Sequence, residues 1–357
     1  MFLYNFIFVS LILAFLISLT NKFKEYTVFF YVFNFLSILF LRSLRFETGT
    51  DWRPYLDFFL DQSVNDFEFG FYLFNLFIRS VSDSYTIYLF VFNFIILILS
   101  VLAAKKFKIN NHFFLLFYFL SLSIFPLRQH LAGALLFYAI GCFNLKNIAK
   151  GWLFVIFSIS IHYSSLIFLP LLLIFNKKIN NKLIIYIILF FSLLYYNFDS
   201  LVSIIFSGQS NPIFKKIIFY TKTSEQSTAF SFFVLLKGLL LIISYRYILK
   251  ENKNYVVLNS FYYFLFFNVL FSNIFFELGR FASLFYFAEI IILWKIYENL
   301  KYRFSPNVYK ILNMLIPLFL LTYSYLKYYN LFYLNEYRDL YVPYISVFDG
   351  INRTYLY

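Results

Sequence analysis

Long apolar runs broken by short polar segments organise the chain. They cover 3–20, 27–44, 84–104, 112–127, 129–145, 151–175, 183–198, 229–249, 255–275, 281–297 and 311–327. A helix needs about 20 apolar residues to cross a bilayer's hydrocarbon, so the pattern predicts an all-α, polytopic integral membrane protein of about 10–12 transmembrane helices. These leave no room for a sizeable soluble domain, and residues 1–357 read as a single polytopic membrane domain. The first run has neither a basic segment before it nor a small-residue cleavage site, so it reads as a retained span and not a signal peptide. Phe67–Ser80 is apolar but, at about 14 residues, too short to span comfortably. It reads as a helix lying in the outer interface, with Phe71 and Tyr72 at headgroup depth.

Composition agrees with the pattern. Of 357 residues 62 % are hydrophobic and 13 % charged, with a mean hydropathy of +0.75. A water-soluble globule of this length needs more polar residues to cover its surface. The same figures exclude a disordered chain, a transmembrane β-barrel and an ordinary nucleic-acid binder, and the single Cys142 excludes a disulfide scaffold. Aromatic residues make up 26 % of the chain. Enrichment in Phe, Ile, Leu, Asn, Lys and Tyr beside scarce Gly, Ala and Pro is what an AT-rich genome produces, so most of the Phe carries no functional message.

Charge orients the spans. Lys22 and Lys24 place the first connection in the cytoplasm and the N-terminus outside. The 45–83 connection holds Glu47, Asp51, Asp57, Asp61, Asp66 and Glu68 and reads as external. Treating 151–175 as one crossing abolishes any charge bias. Read instead as a broken helical hairpin that enters and leaves on the cytoplasmic side, it leaves 17 basic residues against 3 acidic ones inside, and 12 against 13 outside. Irregular backbone at membrane depth is tolerated where it lines a cavity, so a break near 161–165 should face an internal site. The remaining outer features are the turn at Arg128, the 199–228 loop and the 328–357 tail. No internal repeat is visible.

Ionisable groups in or beside apolar runs are costly enough to be site candidates by default. Arg42 and Arg45 share a helix face, and both snorkelling to headgroups and anion binding fit them. Asp51 lies in Glu47–Tyr55, where Gly49 permits a tight turn and Pro54 suits the first turn of a new helix, so a helix cap also accounts for the acid. Arg128 has no soluble loop around it and reaches either headgroups or a protein-held anion. His162 stands at the proposed hairpin break beside Ser164 and Ser165, and Arg280 ends a span near Glu277. Several arginines on the outer face suit a phosphate or diphosphate, because guanidinium stays charged and bonds phosphate oxygens bidentately. No glycine-rich nucleotide loop, paired Cys/His metal spacing or nucleophile elbow is present.

Taken in order, Arg45 with Gly49-Thr50-Asp51-Trp52 and Tyr55, then Glu68-Phe69-Gly70-Phe71-Tyr72, Arg128-Gln129 with Ala132, His162 with Ser164, and Glu277 to Tyr286 resemble the EpsG family of Wzy-type polymerases of bacterial exopolysaccharide, capsule and O-antigen. The pattern runs over roughly residues 27–300, and Leu340–Tyr344 resembles that family's end. Trp52 stands where Tyr is more usual, and Glu-Phe-Gly replaces Glu-Pro-Gly at 68–70. The resemblance implies a GT-C-like fold whose external loop carries interfacial helices and an acid, here Asp51. It also implies a glycosyltransferase of the bacterial inner membrane, its active site facing the periplasm or exterior, that polymerises undecaprenyl-diphosphate-linked oligosaccharide repeats. Chain-length regulator and flippase partners accompany such an enzyme. On this reading Asp51 or His162 is the general base, Arg45, Arg128 and Arg280 bind the diphosphate, and Trp52 is a sugar platform. No cofactor is expected, with a divalent metal at Asp51 left open. Two other functions fit the composition: a single-sugar transferase using a polyprenyl-phosphate sugar, and a lipid-linked glycan flippase or transporter.

Overall fold

In the computed structural model the apolar runs fold as helices wherever their residues are described. The structure describes residues 1–20, 24–48, 52–63, 67–121, 127–174, 177, 238, 241–242, 255–271, 284–300, 304–334, 342 and 344–349. Two compact units share the chain, Met1–Tyr163 with Leu300–Tyr357 and, separately, Ser164–Asn299.

The first unit contains α1 (Phe2–Leu19), α2 (Lys24–Ser43), α3 (Trp52–Leu60), α4 (Phe69–Arg79), α5 (Tyr85–Lys106), α6 (Asn111–Ser121), α7 (Leu127–Asn144), α8 (Ile148–Ile161) and, after the second unit, α12 (Pro306–Tyr329) with a π-turn at Asn330–Leu334. The second unit contains a 3₁₀ turn that starts at Tyr163 and runs to Phe168, then α9 (Leu169–Ile174), α10 (Tyr255–Phe271) and α11 (Tyr286–Asn299). There α10 packs on α9 and α11, and Phe168 stacks on Phe285 with centroids 6.1 Å apart.

Among the described residues three helices are long and apolar enough to cross a membrane: α1, Glu25–Ser43 of α2, and α5. Their outward residues are apolar as well, as at Phe6, Val9, Val28, Phe29 and Leu102. Such surface is stable only against lipid.

Helix α7 is the axis of the first unit, buried along nearly its whole length between α5 and α8. Small residues make this possible: Ala132, Gly133, Ala134, Ala139 and Gly141 let neighbouring backbones close in. Ser158 of α8 donates to the Ala132 carbonyl at 2.9 Å, which fixes the register of α8 on α7. Helix α7 begins at Leu127, so Arg128, Gln129 and His130 form its first turn. This corrects the expectation of a turn at Arg128 between two spans.

The 45–83 connection contains the two short helices α3 and α4. Aromatic rings dock both on α5: Phe59 on Tyr88 at 5.1 Å, Phe58 on Phe71 at 5.6 Å, and Phe71 on Phe92 at 5.7 Å. Phe71 is fully buried against protein while Tyr72 is exposed. Helix α4 also lies close on α8 at Gly70, where a Cβ would come within 2.7 Å of the Ser160 carbonyl oxygen. Backbone cannot yield as a flexible side chain does, so Gly70→Ala is expected to push α4 off α8 and displace Glu68 two residues away. Thermal unfolding in detergent should show a loss of about 1–3 kcal/mol, the usual cost of overpacking.

At the opposite end of the chain the tail is tied down. Phe46 N–H donates to Ile345 O and Val347 N–H to Leu44 O, each at 2.9 Å, an antiparallel bridge that pairs Arg45 with Ser346. Tyr344 donates to the Leu41 carbonyl at 2.8 Å and meets Tyr4 edge-on at 5.8 Å. The start of α1, the end of α2 and the 344–349 segment therefore share one end of the unit.

Candidate functional site

Glu68 is the centre of the polar chemistry in the described residues. It occupies the position before α4, yet its side chain makes no capping bond to that helix. The carboxylate turns instead toward α7 and α8. Its Oε1 accepts from His162 Nδ1 at 2.8 Å and from the Tyr163 N–H at 3.2 Å. Its Oε2 accepts from Arg128 Nη1 in a short ion pair. Three elements far apart in sequence thus converge on one acid.

Local structure explains the convergence. Helix α8 stops at Ile161, and His162 is extended (φ −153°, ψ 112°) before the 3₁₀ turn begins. The interruption frees the Tyr163 N–H to point at Glu68. Arg128, in the first turn of α7, is held by rings as well as by the carboxylate. Its guanidinium lies 4.1 Å from the Phe67 ring centroid and 5.6 Å from that of Phe71, and Nε donates to Tyr55 O–H at 3.4 Å. Cation–π contacts of this kind strengthen as water is removed.

Burial alone would raise the Glu68 carboxyl. The His162 hydrogen bond and the Arg128 charge outweigh it and hold the group down at about 2, so Glu68 is a carboxylate at any ordinary pH. A carboxylate facing Nδ1 keeps a proton on that nitrogen, which leaves Nε2 of a neutral His162 as a free acceptor. Nε2 makes no hydrogen bond to a described residue, and the side chain is 23 % exposed. Arg128, 21 % exposed, has Nη2 and one Nη1 proton to offer to a ligand. An imidazole and a guanidinium, each about a fifth exposed, are therefore both anchored on Glu68.

The other residues named from the sequence fall differently. Asp51 and Arg280 lie outside the described residues. Arg45 is fully buried; its Nη1 donates to the Thr48 carbonyl at 3.0 Å, and its own carbonyl accepts from Trp52 Nε1 at 3.3 Å. Among the described residues its guanidinium serves the loop ahead of α3. Trp52 is 1 % exposed and wedged between Phe46 at 5.1 Å and Tyr85 at 5.3 Å. A sugar platform needs an open ring face, so Trp52 is a packing residue in this structure. Arg42 does not snorkel. It is buried, with Nη1 donating to Tyr118 O–H at 3.0 Å and Nη2 to His130 Nδ1 at 2.7 Å, which ties α2 to α6 and α7.

Glu68 itself is absent from the sequence-derived site, although its motif is quoted for the resemblance. The signal that points to it is an acid flanked by Phe67 and Phe69 beside an amphipathic run, where an unpaired carboxylate is costly. Among the described residues no group of three His, Cys, Asp or Glu is placed to hold a metal ion.

Long apolar helices with lipid-type surfaces, together with a buried acid bound by Arg128 and His162, define a helical membrane protein with a polar site. The EpsG family model matches residues 28–346, and the chain belongs to the EpsG family. It is accordingly a membrane protein of polysaccharide biosynthesis, of a family associated with polymerase-like glycosyltransferase activity. No curated relative and no solved structure matches the chain.

Proposed function

We propose that this protein joins oligosaccharide repeats carried on a polyprenyl diphosphate into a surface polysaccharide: O-antigen, capsule or exopolysaccharide. The observation that carries this reading is the Glu68 anchor, which sets the His162 base beside the Arg128 cation. In the reaction a hydroxyl of one lipid-linked repeat attacks the anomeric carbon of another. The hydroxyl proton passes to His162 Nε2, the new glycosidic C–O bond forms, and the C–O bond to the diphosphate breaks. Glu68 stabilises the imidazolium that results, as a buried carboxylate does for a catalytic histidine. Arg128 takes up the charge that grows on the leaving diphosphate, the kind of preorganised donor worth about 2.7–4 kcal/mol in a transition state.

Arg280 is the proposed second cation and Asp51 the alternative base, both by family resemblance. The remaining parts of the proposal are the inner-membrane location with an outward-facing site, the hairpin at 151–175, the external 199–228 loop and 328–357 tail, and association with a chain-length regulator and a flippase.

Deleting the gene and resolving surface and lipid-linked glycan on a gel tests the reading. Single-repeat product without a ladder is expected. Loss of every surface repeat would point to a flippase, and a truncated repeat to a single-sugar transferase.

A further inference from the structure

A second polar cluster lies at the other ends of α5 and α7, away from Glu68. Lys106, the last residue of α5, places Nζ 4.6 Å from the ring centroid of Tyr138 on α7. Lys150, in the first turn of α8, places its Nζ 5.5 Å from the same centroid. The stem of Lys106 is fixed by Gly141, where a Cβ would sit 2.6 Å from the lysine Cδ. Tyr138 is held from its other neighbour by Phe154 at 4.5 Å. Both ammonium groups thus contact one ring, and neither makes an ion pair with a described residue. Two cations near one another with no acid beside them favour an anion.

The sequence around the cluster supplies no such acid. Lys105, Lys108 and Lys146 add to the positive charge of the same two turns, and no Asp or Glu occurs anywhere from residue 84 to residue 198. Beside the lysines the surface becomes apolar: Leu145 is 56 % exposed, Ile148 61 %, Trp152 42 % and Leu153 48 %. Trp152 lies edge-on to Phe143 at 6.2 Å, in the place where an interfacial tryptophan meets headgroups.

We propose that Lys106, Tyr138 and Lys150 form a headgroup site for an anionic phospholipid. The two ammonium groups take the phosphodiester, and the exposed strip from Leu145 to Leu153 takes the acyl chains. Charge complementarity selects an anion, and the adjoining apolar strip selects a lipid over a free phosphate. Basic pockets between helices at the lysine-rich side of membranes recognise lipid in this way.

The test uses the full-length protein in detergent and native mass spectrometry with added phosphatidylglycerol. Phosphatidylcholine with the same chains and inorganic phosphate serve as comparison probes. Preferential retention of phosphatidylglycerol is expected, reduced about 30-fold in Lys106→Gln/Lys150→Gln, given the worth of each lysine toward an anionic headgroup. Glutamine keeps the Lys106 stem against Gly141. If the double variant is not monodisperse, the exposed Lys150→Gln alone should show a several-fold loss. The Lys105→Gln/Lys146→Gln variant removes the same charge away from the ring and should bind as the parent does. Equal loss in that variant, unchanged binding in the first, or displacement of the lipid by inorganic phosphate alone would each overturn the site.

Discussion

Replacing His162 with alanine is expected to slow repeat polymerisation by about 100- to 10,000-fold, the range of a lost general base, while the protein still accumulates in the membrane. The expectation rests on the division of labour in the ring. Nδ1 is committed to Glu68 at 2.8 Å, so only Nε2 can reach a substrate hydroxyl. Alanine removes both the base and that anchor. His162→Asn separates the two, because its amide N–H sits where Nδ1 does and can still donate to the carboxylate but cannot accept a proton at neutral pH. Both variants should give short glycan on a gel, and His162→Asn should unfold at a higher temperature than His162→Ala. A normal ladder from His162→Asn would remove His162 from the chemistry and leave Asp51 as the base.

Helix positions are legible in the apolar runs because hydrocarbon leaves a spanning backbone little choice but to satisfy its own hydrogen bonds. Hydropathy therefore locates α1, α2 and α5 closely. It misplaces the start of α7, since Arg128, Gln129 and His130 look like a polar interruption. They are helical because Glu68 and Arg42 supply partners from other elements. The cost of burying charge singles out Arg128 and His162 without any structure. It does not say what pairs with them, because Glu68 precedes Arg128 by 60 residues and His162 by 94. A guanidinium and an imidazole in a poorly hydrated place call for an acceptor, and Glu68 has aromatic residues on both sides. That inference needs the pairing as well as the composition. Arg45 and Trp52 show the converse limit. Their polar and aromatic character is visible in the sequence, but their burial arises from the tail bridge at Ser346 and from Tyr85, which are tertiary contacts.

Glu68→Ala should be the most destabilising substitution at the site. It leaves the Arg128 guanidinium and the Tyr163 N–H without their acceptor, and removing one side of a buried pair costs about 3–5 kcal/mol. The low end of that range is expected, because Arg128 and His162 keep about a fifth of their side-chain surface exposed and water can reach them. Arg128→Met alone strands the carboxylate less severely, since His162 still donates to it. Combining Glu68→Ala with Arg128→Met removes both charges and should recover at least half of the loss, which a double-mutant cycle in thermal unfolding would measure. The pH dependence carries an independent sign. The Glu68 carboxyl is depressed from the usual 4.5 to about 2 in the folded protein. Its contribution to stability is therefore complete above pH 4.5 and is lost as pH falls from there toward 2. The parent protein should lose stability through this window, and Glu68→Ala should lose less. If the parent and variant unfold in parallel from pH 7 to pH 3, and the cycle shows no coupling, Glu68 does not hold the site together.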